Sequence, residues 1–207
     1  VLERLEALLR IRGRMIGFRQ QVKVPLQEME SRTNKFVLKE SKKLCQASLK
    51  AIESDIAQTE KVIQEVLQSD EELKRLMKLI TSVDGIGPIT ACEIILTTAE
   101  FKQISDPKKF ACYAGVAPFE HSSGKKLSRA RVSHMANKKV KRFLHMEAMS
   151  SIRSKSDLKN YYERKVREGR NKMLIINAVR NKLIHRVFAC VRDNRPYQDH
   201  YLNTLAI

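Results

Sequence analysis

Ser122 and Ser123 stand side by side before Gly124, and the densest run of positive charge in the chain follows them. Lys125, Lys126, Arg129, Arg131, Lys138, Lys139, Lys141 and Arg142 come with no acid between His121 and Met146. A serine hydroxyl is a poor nucleophile until a base, a metal or a strong positive potential activates it. Cations at this density could neutralise phosphoryl oxygens beside it. The segment therefore reads as one that handles phosphate, either by holding it or by attacking it, and the residue types alone leave both open. No His and Asp are spaced as a triad, and His121 is only a weak candidate base. Asn137, Arg180 and Lys182 are further candidate phosphate ligands, the last two expected to project opposite an apolar stripe. Tyr113, Tyr161 and Tyr162 could stack on bases, although their helical spacing favours packing.

The distribution of charge supports a polyanionic partner. The chain of 207 residues carries a formal charge of +17 with a pI near 9.9, an imbalance that repels itself unless a nucleic acid or similar surface offsets it. Residues 121–186 hold 19 of the 40 Lys and Arg against four acids, so the excess is a patch on the C-terminal third. Cys45, Cys92, Cys112 and Cys190 are far apart and form no C-x-x-C pair, which excludes the usual zinc and disulfide frameworks. Scattered thiols fit a reducing cytosol, and the expected localisation is cytoplasmic and DNA-associated. No apolar run approaches a membrane span and no signal-peptide pattern appears. The chain opens inside a helical pattern and reads as the remainder of something longer.

The elements that must position these residues are helical. Leu2, Leu5, Leu8 and Leu9, then Met15, Phe18 and Val22, recur at helical spacing, with Pro25 expected to kink or break the run. A second helix from about Ser41 carries Ile52, Ile56, Ile63, Val66 and Leu67. Two such helices predict an antiparallel coiled-coil arm over residues 1–69. Ser69-Asp70-Glu71-Glu72 matches a capping box with Ser69 as N-cap, opening a domain over 70–195. Within 70–99, a helix ends at Val83-Asp84-Gly85-Ile86-Gly87-Pro88 and an apolar helix follows, the pattern of a helix–hairpin–helix. Its glycines leave backbone amides that could hold a phosphate without reading sequence, so Gly85 and Gly87 are candidate nucleic-acid contacts. The alternative is a plain helix corner, which the lack of basic residues at the turn favours. Ser105-Asp106-Pro107 starts a short helix to Gly115, and a loop over 115–134 carries the serines, with a short hairpin possible over 117–133. Helices occupy 136–192: one from Asn137 to Ile152, one from Ser156-Asp157 to Gly169, and one from Met173 to Val191. The tail, 196–207, is expected to fray from Asp193. The fold class is all-α.

The ordered series is S-V-D-G-I-G-P-I-T-A at 82–91, F-A-C-Y-A-G-V-A-P at 110–118 and S-S-G at 122–124. R-V-S-H-M-A-N-K-K follows at 131–139, Y-Y-E-R-K at 161–165 and A-V-R-N-K-L at 178–183. It resembles the C-terminal transposase domain of the Piv/MooV-type DEDD insertion-sequence recombinases, the bridge-RNA-guided family, over about residues 70–195. The resemblance implies a preceding coiled-coil linker and, in full-length members, an N-terminal RNase H-like domain whose four acids bind Mg2+. It further implies that a serine in an S-G motif attacks a DNA phosphodiester, with a neighbouring subunit completing the active site. By position that serine is Ser123. The implied partners are DNA, a guide RNA and a second copy of the chain through the coiled coil, with no membrane. No metal ligands are expected in this chain. The segment from Gly124 to Arg131 is one residue shorter than in that family, so a displaced serine is expected, and no activity is expected in isolation from the RNase H-like metal-binding domain. The rival readings are a non-catalytic helix–hairpin–helix nucleic-acid-binding module, a decayed transposase fragment, and a basic structural RNA-binding protein.

Overall fold

The computed structural model describes residues 1–123, 126–132, 135–154 and 156–198, with the backbone alone for 119–123 and 126–131. It divides into two compact units, Val1–Glu71 and Glu72 onward. Among the described residues the fold is all-α apart from one β-hairpin. Among the described residues no helix is long and apolar enough to cross a membrane.

The first unit is two helices, α1 (Leu2–Arg32) and α2 (Lys35–Gln68). Arg12 bonds to Glu60 at 2.7 Å, Thr59 lies 4.0 Å from the Met15 sulfur, and Lys42 meets Glu30 at 2.6 Å. As the partner number rises on one helix it falls on the other, so the pair is antiparallel. Buried Ile56, Thr59, Ile63, Val66 and Leu67 mark the inward stripe of α2, at the spacing a helix face requires. Two expectations need correction. Pro25 lies inside α1 and does not break it; contacts to α2 on both sides of Pro25 hold the helix where the missing amide weakens it. The second helix begins at Lys35 rather than near Ser41, because Asn34 caps it, its side chain accepting from the Phe36 amide at 2.9 Å.

The second unit strings together α3 (Glu71–Thr81), α4 (Pro88–Thr98), α5 (Pro107–Tyr113), β1 (Phe119–Ser123), β2 (Lys126–Arg131), α6 (Lys138–Ser151), α7 (Asp157–Arg167) and α8 (Lys172–Arg192). The caps behave as their side chains dictate. Asp106 accepts from the Lys108 amide before Pro107, Asn137 from those of Lys139 and Val140, and Asn171 from those of Met173 and Leu174. Ser69 is the exception. It is the C-cap of α2, and its hydroxyl donates to the Val66 carbonyl at 2.8 Å, so it closes the helix behind it rather than opening the one ahead.

Helix α8 is the pillar of this unit, packing against α5, α6 and α7. Its Phe188 ring meets Phe110 at 5.3 Å and Phe101 at 4.9 Å, an edge-on pair. Phe101 gets there through an unusual exit from α4: Ala99, Glu100 and Phe101 are all left-handed, at φ 47, 58 and 64. Each costs about 1–2 kcal/mol in a residue with a Cβ. The Thr98 hydroxyl accepts from the Phe101 amide at 3.0 Å, and with the ring contact this offsets part of that cost. As far as Gln198 the segment after α8 is held against the unit; the rest of the tail expected to fray, 199–207, lies outside the described residues. The Tyr197 amide donates to the Ser82 hydroxyl at 2.8 Å, and the Arg186 guanidinium lies 4.7 Å from the Tyr197 ring centre.

Candidate nucleic-acid interface

The serines sit on the hairpin. Strands β1 and β2 pair antiparallel with Ser122 opposite Leu127 and Ser123 opposite Lys126, and the register slips between Phe119 and His121. Ser123 is thus the last residue of a strand. Gly124 and Lys125 lie outside the described residues, and for Lys126, Arg129 and Arg131 the structure places backbone only.

Both ends of the hairpin are pinned to the helical body. Gly115 has φ +64, and a Cβ there would meet the Ala136 methyl at 2.5 Å and Val132 at 3.2 Å, so the entering and leaving chains touch where only glycine fits. The Asn137 amide donates to the Tyr113 carbonyl at 2.9 Å, and its side-chain Nδ2 donates to the Tyr113 hydroxyl at 2.9 Å. With Oδ1 capping α6, the Asn137 side chain is engaged at both ends as a brace of the hairpin. On the other side, Asn177 Nδ2 donates to the Val116 carbonyl at 2.8 Å.

The remaining candidates separate by burial. Lys138 and Arg142 are exposed on α6, with the Arg142 guanidinium 5.7 Å from the Phe143 ring centre. Lys139 is paired at 2.5 Å with buried Glu93, which claims much of its charge. Arg180 does not project opposite the apolar stripe of α8. It lies on the buried face with Val179, Leu183 and Ile184, and is 6% exposed. Lys182, two residues on and so about 200° round the helix, is exposed.

Arg180 faces no carboxylate among the described residues. One Nη approaches His145 Nδ1 at 2.5 Å, the other reaches Asn177 Oδ1 at 3.5 Å, and Nε has no partner. A guanidinium only donates, so His145 Nδ1 must be the acceptor and the ring is neutral. Burial and then the Arg180 charge hold the His145 pKa below its ordinary 6.5, and burial likewise lowers that of Arg180. The unfolded chain protonates His145 near pH 6.5 while the native state does not. Stability from this group is therefore fully kept above pH 6.5 and falls as pH drops below it. The expected outcome is a fall in unfolding midpoint below pH 6.5 that is smaller in His145→Gln, together with a rise of the His145 pKa in Arg180→Met, read by NMR titration.

The turn at Gly85 is built for packing. The Ile86 amide donates to the Val83 carbonyl at 3.0 Å, closing a β-turn with Gly85 in its third place at φ +93. The Ser151 hydroxyl shares its one proton between the Asp84 carbonyl at 3.0 Å and the Glu147 carbonyl at 2.9 Å, so α6 backs the turn. The Thr90 hydroxyl bonds to the Glu147 carboxylate beside Gly87. Helix packing alone accounts for glycine at 85.

Sequence reasoning missed Asn177, whose amide braces the hairpin, and the cations of α7. Arg164 and Arg167 follow Tyr161 at three and six residues, one face of a helix, and that spacing was the available signal. Among the described residues no three His, Cys, Asp or Glu side chains converge as metal ligands would.

Residues 77–163, from within α3 to within α7 and including the hairpin and α6, match the model of the Transposase IS116/IS110/IS902 family. Residues 77–163 are a transposase domain of that family. Relatives agree with the assignment. The chain is 26% identical over 144 residues to the pilin gene-inverting protein of Moraxella bovis, covering 69% of this chain and 45% of that protein. It is 22% identical over 147 residues to the insertion element IS116 uncharacterized 44.8 kDa protein of Streptomyces clavuligerus, covering 71% and 36%. A probable family 20 transposase of Pseudomonas aeruginosa is 26% identical over 137 residues, covering 65% and 39%. The chain spans less than half the length of these relatives. Residues 77–163 thus contain the strand that ends on Ser123, its braces at Gly115 and Asn137, and the exposed cations of α6, while Asn177 braces the hairpin from outside the match.

Proposed function

We propose that this chain is the DNA-binding C-terminal part of an insertion-sequence transposase or recombinase, supplying Ser123 as the nucleophile for DNA strand cleavage and exchange. The observation that carries the reading is the hairpin. It belongs to a transposase-family match, ends its first strand on the serine before Gly124, and is pinned on both sides to a helical body. A nucleophile at the tip of a braced two-stranded arm is held for presentation while its root stays fixed. The excess of Lys and Arg over residues 121–186 supports a polyanionic substrate. The names of relatives, a transposase and a gene-inverting protein, describe rearrangement of DNA.

In this reading the turn at 82–87 is a helix–hairpin–helix, a guide RNA is a further ligand, and Mg2+ belongs to the N-terminal domain of the full-length protein. A second copy would meet the α1–α2 arm, where Phe36 and Leu44 are 73% and 76% exposed. The binding half of the proposal is tested on the chain itself by measuring DNA affinity against salt. If about six phosphates are contacted, affinity should fall roughly a thousandfold between 50 and 200 mM salt. A flat response would remove DNA binding from the reading.

A further inference from the structure

Helices α7 and α8 border an open hollow of about 440 Å³ lined by Asp157, Leu158, Asn160, Tyr161, Arg164, Arg167 and Lys182. Its only acid is already spoken for. The Asp157 carboxylate is gripped by both Nη atoms of Arg186, and that hydrogen bond holds its pKa below the ordinary carboxylate value. Arg167 and Lys182 form no ion pair among the described residues, and Arg164 reaches Glu168 only at 3.8 Å. Three cations therefore border one recess on side chains exposed to solvent, with Asp157 close enough to feel the Lys182 charge and Glu168 that of Arg164. An anion entering the recess would be attracted by all three, and two guanidinium groups match phosphate oxygens in geometry as well as charge.

The recess also carries an aromatic ring. The Lys182 ammonium lies 4.8 Å and the Arg164 guanidinium 5.8 Å from the Tyr161 ring centre. These contacts hold the ring in place, and cations drawn onto a phosphate would free its face for a base. Asn160 adds an amide that can both donate and accept. A hollow of this volume is far smaller than a duplex, which could touch only its rim. One phosphate of an unpaired strand, with the adjoining base turned in, has the size and chemistry to enter.

The geometry points to a seat for an unpaired nucleic-acid strand in the α7–α8 hollow, with Arg164, Arg167 and Lys182 on its phosphate and Tyr161 under a base. This rests on the nucleic-acid-binding reading above and adds a strand-selective site apart from the hairpin. The Arg186–Asp157 pair forms the neutral wall that keeps the acid of the hollow from repelling the phosphate.

The test is fluorescence anisotropy of the 207-residue chain with a labelled single-stranded DNA, a single-stranded RNA of the same sequence, and the DNA duplex, at one salt concentration. Arg164→Gln/Arg167→Gln/Lys182→Gln is expected to weaken single-strand binding at least about tenfold and duplex binding less than about threefold. Tyr161→Leu should weaken the single strand about fivefold or more and leave the duplex unchanged. Loss in both single strands assigns a seat for either nucleic acid, and loss in one assigns it to that one. Single-strand affinity within twofold of the parent, or equal losses for single strand and duplex, overturns the seat. Arg167→Gln alone, at an exposed helical position, keeps the comparison valid if the triple variant misfolds. Lys138→Gln/Arg142→Gln separates the two readings: if it weakens duplex binding while the hollow variants do not differ from the parent, the seat falls and DNA binding stands. If the parent chain binds none of the three, both fall.

Discussion

In a full-length protein carrying this domain, Ser123→Ala is expected to abolish strand exchange and any covalent protein–DNA adduct while leaving DNA affinity within about twofold. Losing a nucleophile typically removes activity by a factor on the order of a thousand or more. The substitution deletes one oxygen at the end of β1, opposite Lys126. The parts that fix the hairpin are elsewhere: Gly115 against Ala136, Asn137 on Tyr113, and Asn177 on the Val116 carbonyl. None of the exposed cations of α6, Lys138 and Arg142, is touched. Binding and chemistry should therefore separate cleanly. The measurement is denaturing electrophoresis of labelled DNA with parent and variant, beside an equilibrium binding curve. Recombination at the parental rate would remove Ser123 from the chemistry, and Ser122→Ala is the natural companion, since the two hydroxyls are neighbours.

Gly85→Ala is expected to destabilise the second unit by about 3–5 kcal/mol, through two costs with one origin. At φ +93 a Cβ costs about 1–2 kcal/mol in backbone strain. That same Cβ would overlap the Ser151 hydroxyl outright and press on the Glu147 carbonyl at 3.1 Å. Ser151 would have to give up its bonds to the Asp84 and Glu147 carbonyls, another ~1 kcal/mol, and α6 would shift with it. Denaturant unfolding of Gly85→Ala and Gly85→Ala/Ser151→Ala checks this. Removing the hydroxyl should recover part of the loss but not the share due to φ. A Gly85→Ala protein as stable as its parent would mean the turn does not have this geometry.

The two predictions differ in how they could be foreseen. Ser123 is singled out by neighbours in sequence, through a series of short motifs in order. The sequence makes Gly85 a candidate phosphate contact because glycine at a helix turn frees amides, and nothing local says that Ser151, 66 residues on, fills the space where its side chain would be. The same gap explains Arg180 and Lys182. A stripe read along α8 places both on the outer side, yet α5, α6 and α7 cover more of that helix than one narrow stripe, and Arg180 falls under them.

Residues near in sequence settled the helices and their limits. Asp106 before Pro107, Asn137, Asn171 and Gly169 act through hydrogen bonds and dihedral preferences spanning only two or three residues, so they work the same way whatever surrounds them. The excess of cations over 121–186 and the order of the motifs are equally local, and they suffice to recognise a transposase domain. Ser69, where two helix ends compete for one hydroxyl, is where a local rule had two valid answers. Tertiary structure alone decided which cations meet solvent, why Gly85 must be glycine, that Tyr197 docks on Ser82, and that Asn177 braces the hairpin. Each of these depends on which surface another helix covers. That is set by the packing of the whole unit around α8, where burial of apolar faces outweighs the preference of any single side chain.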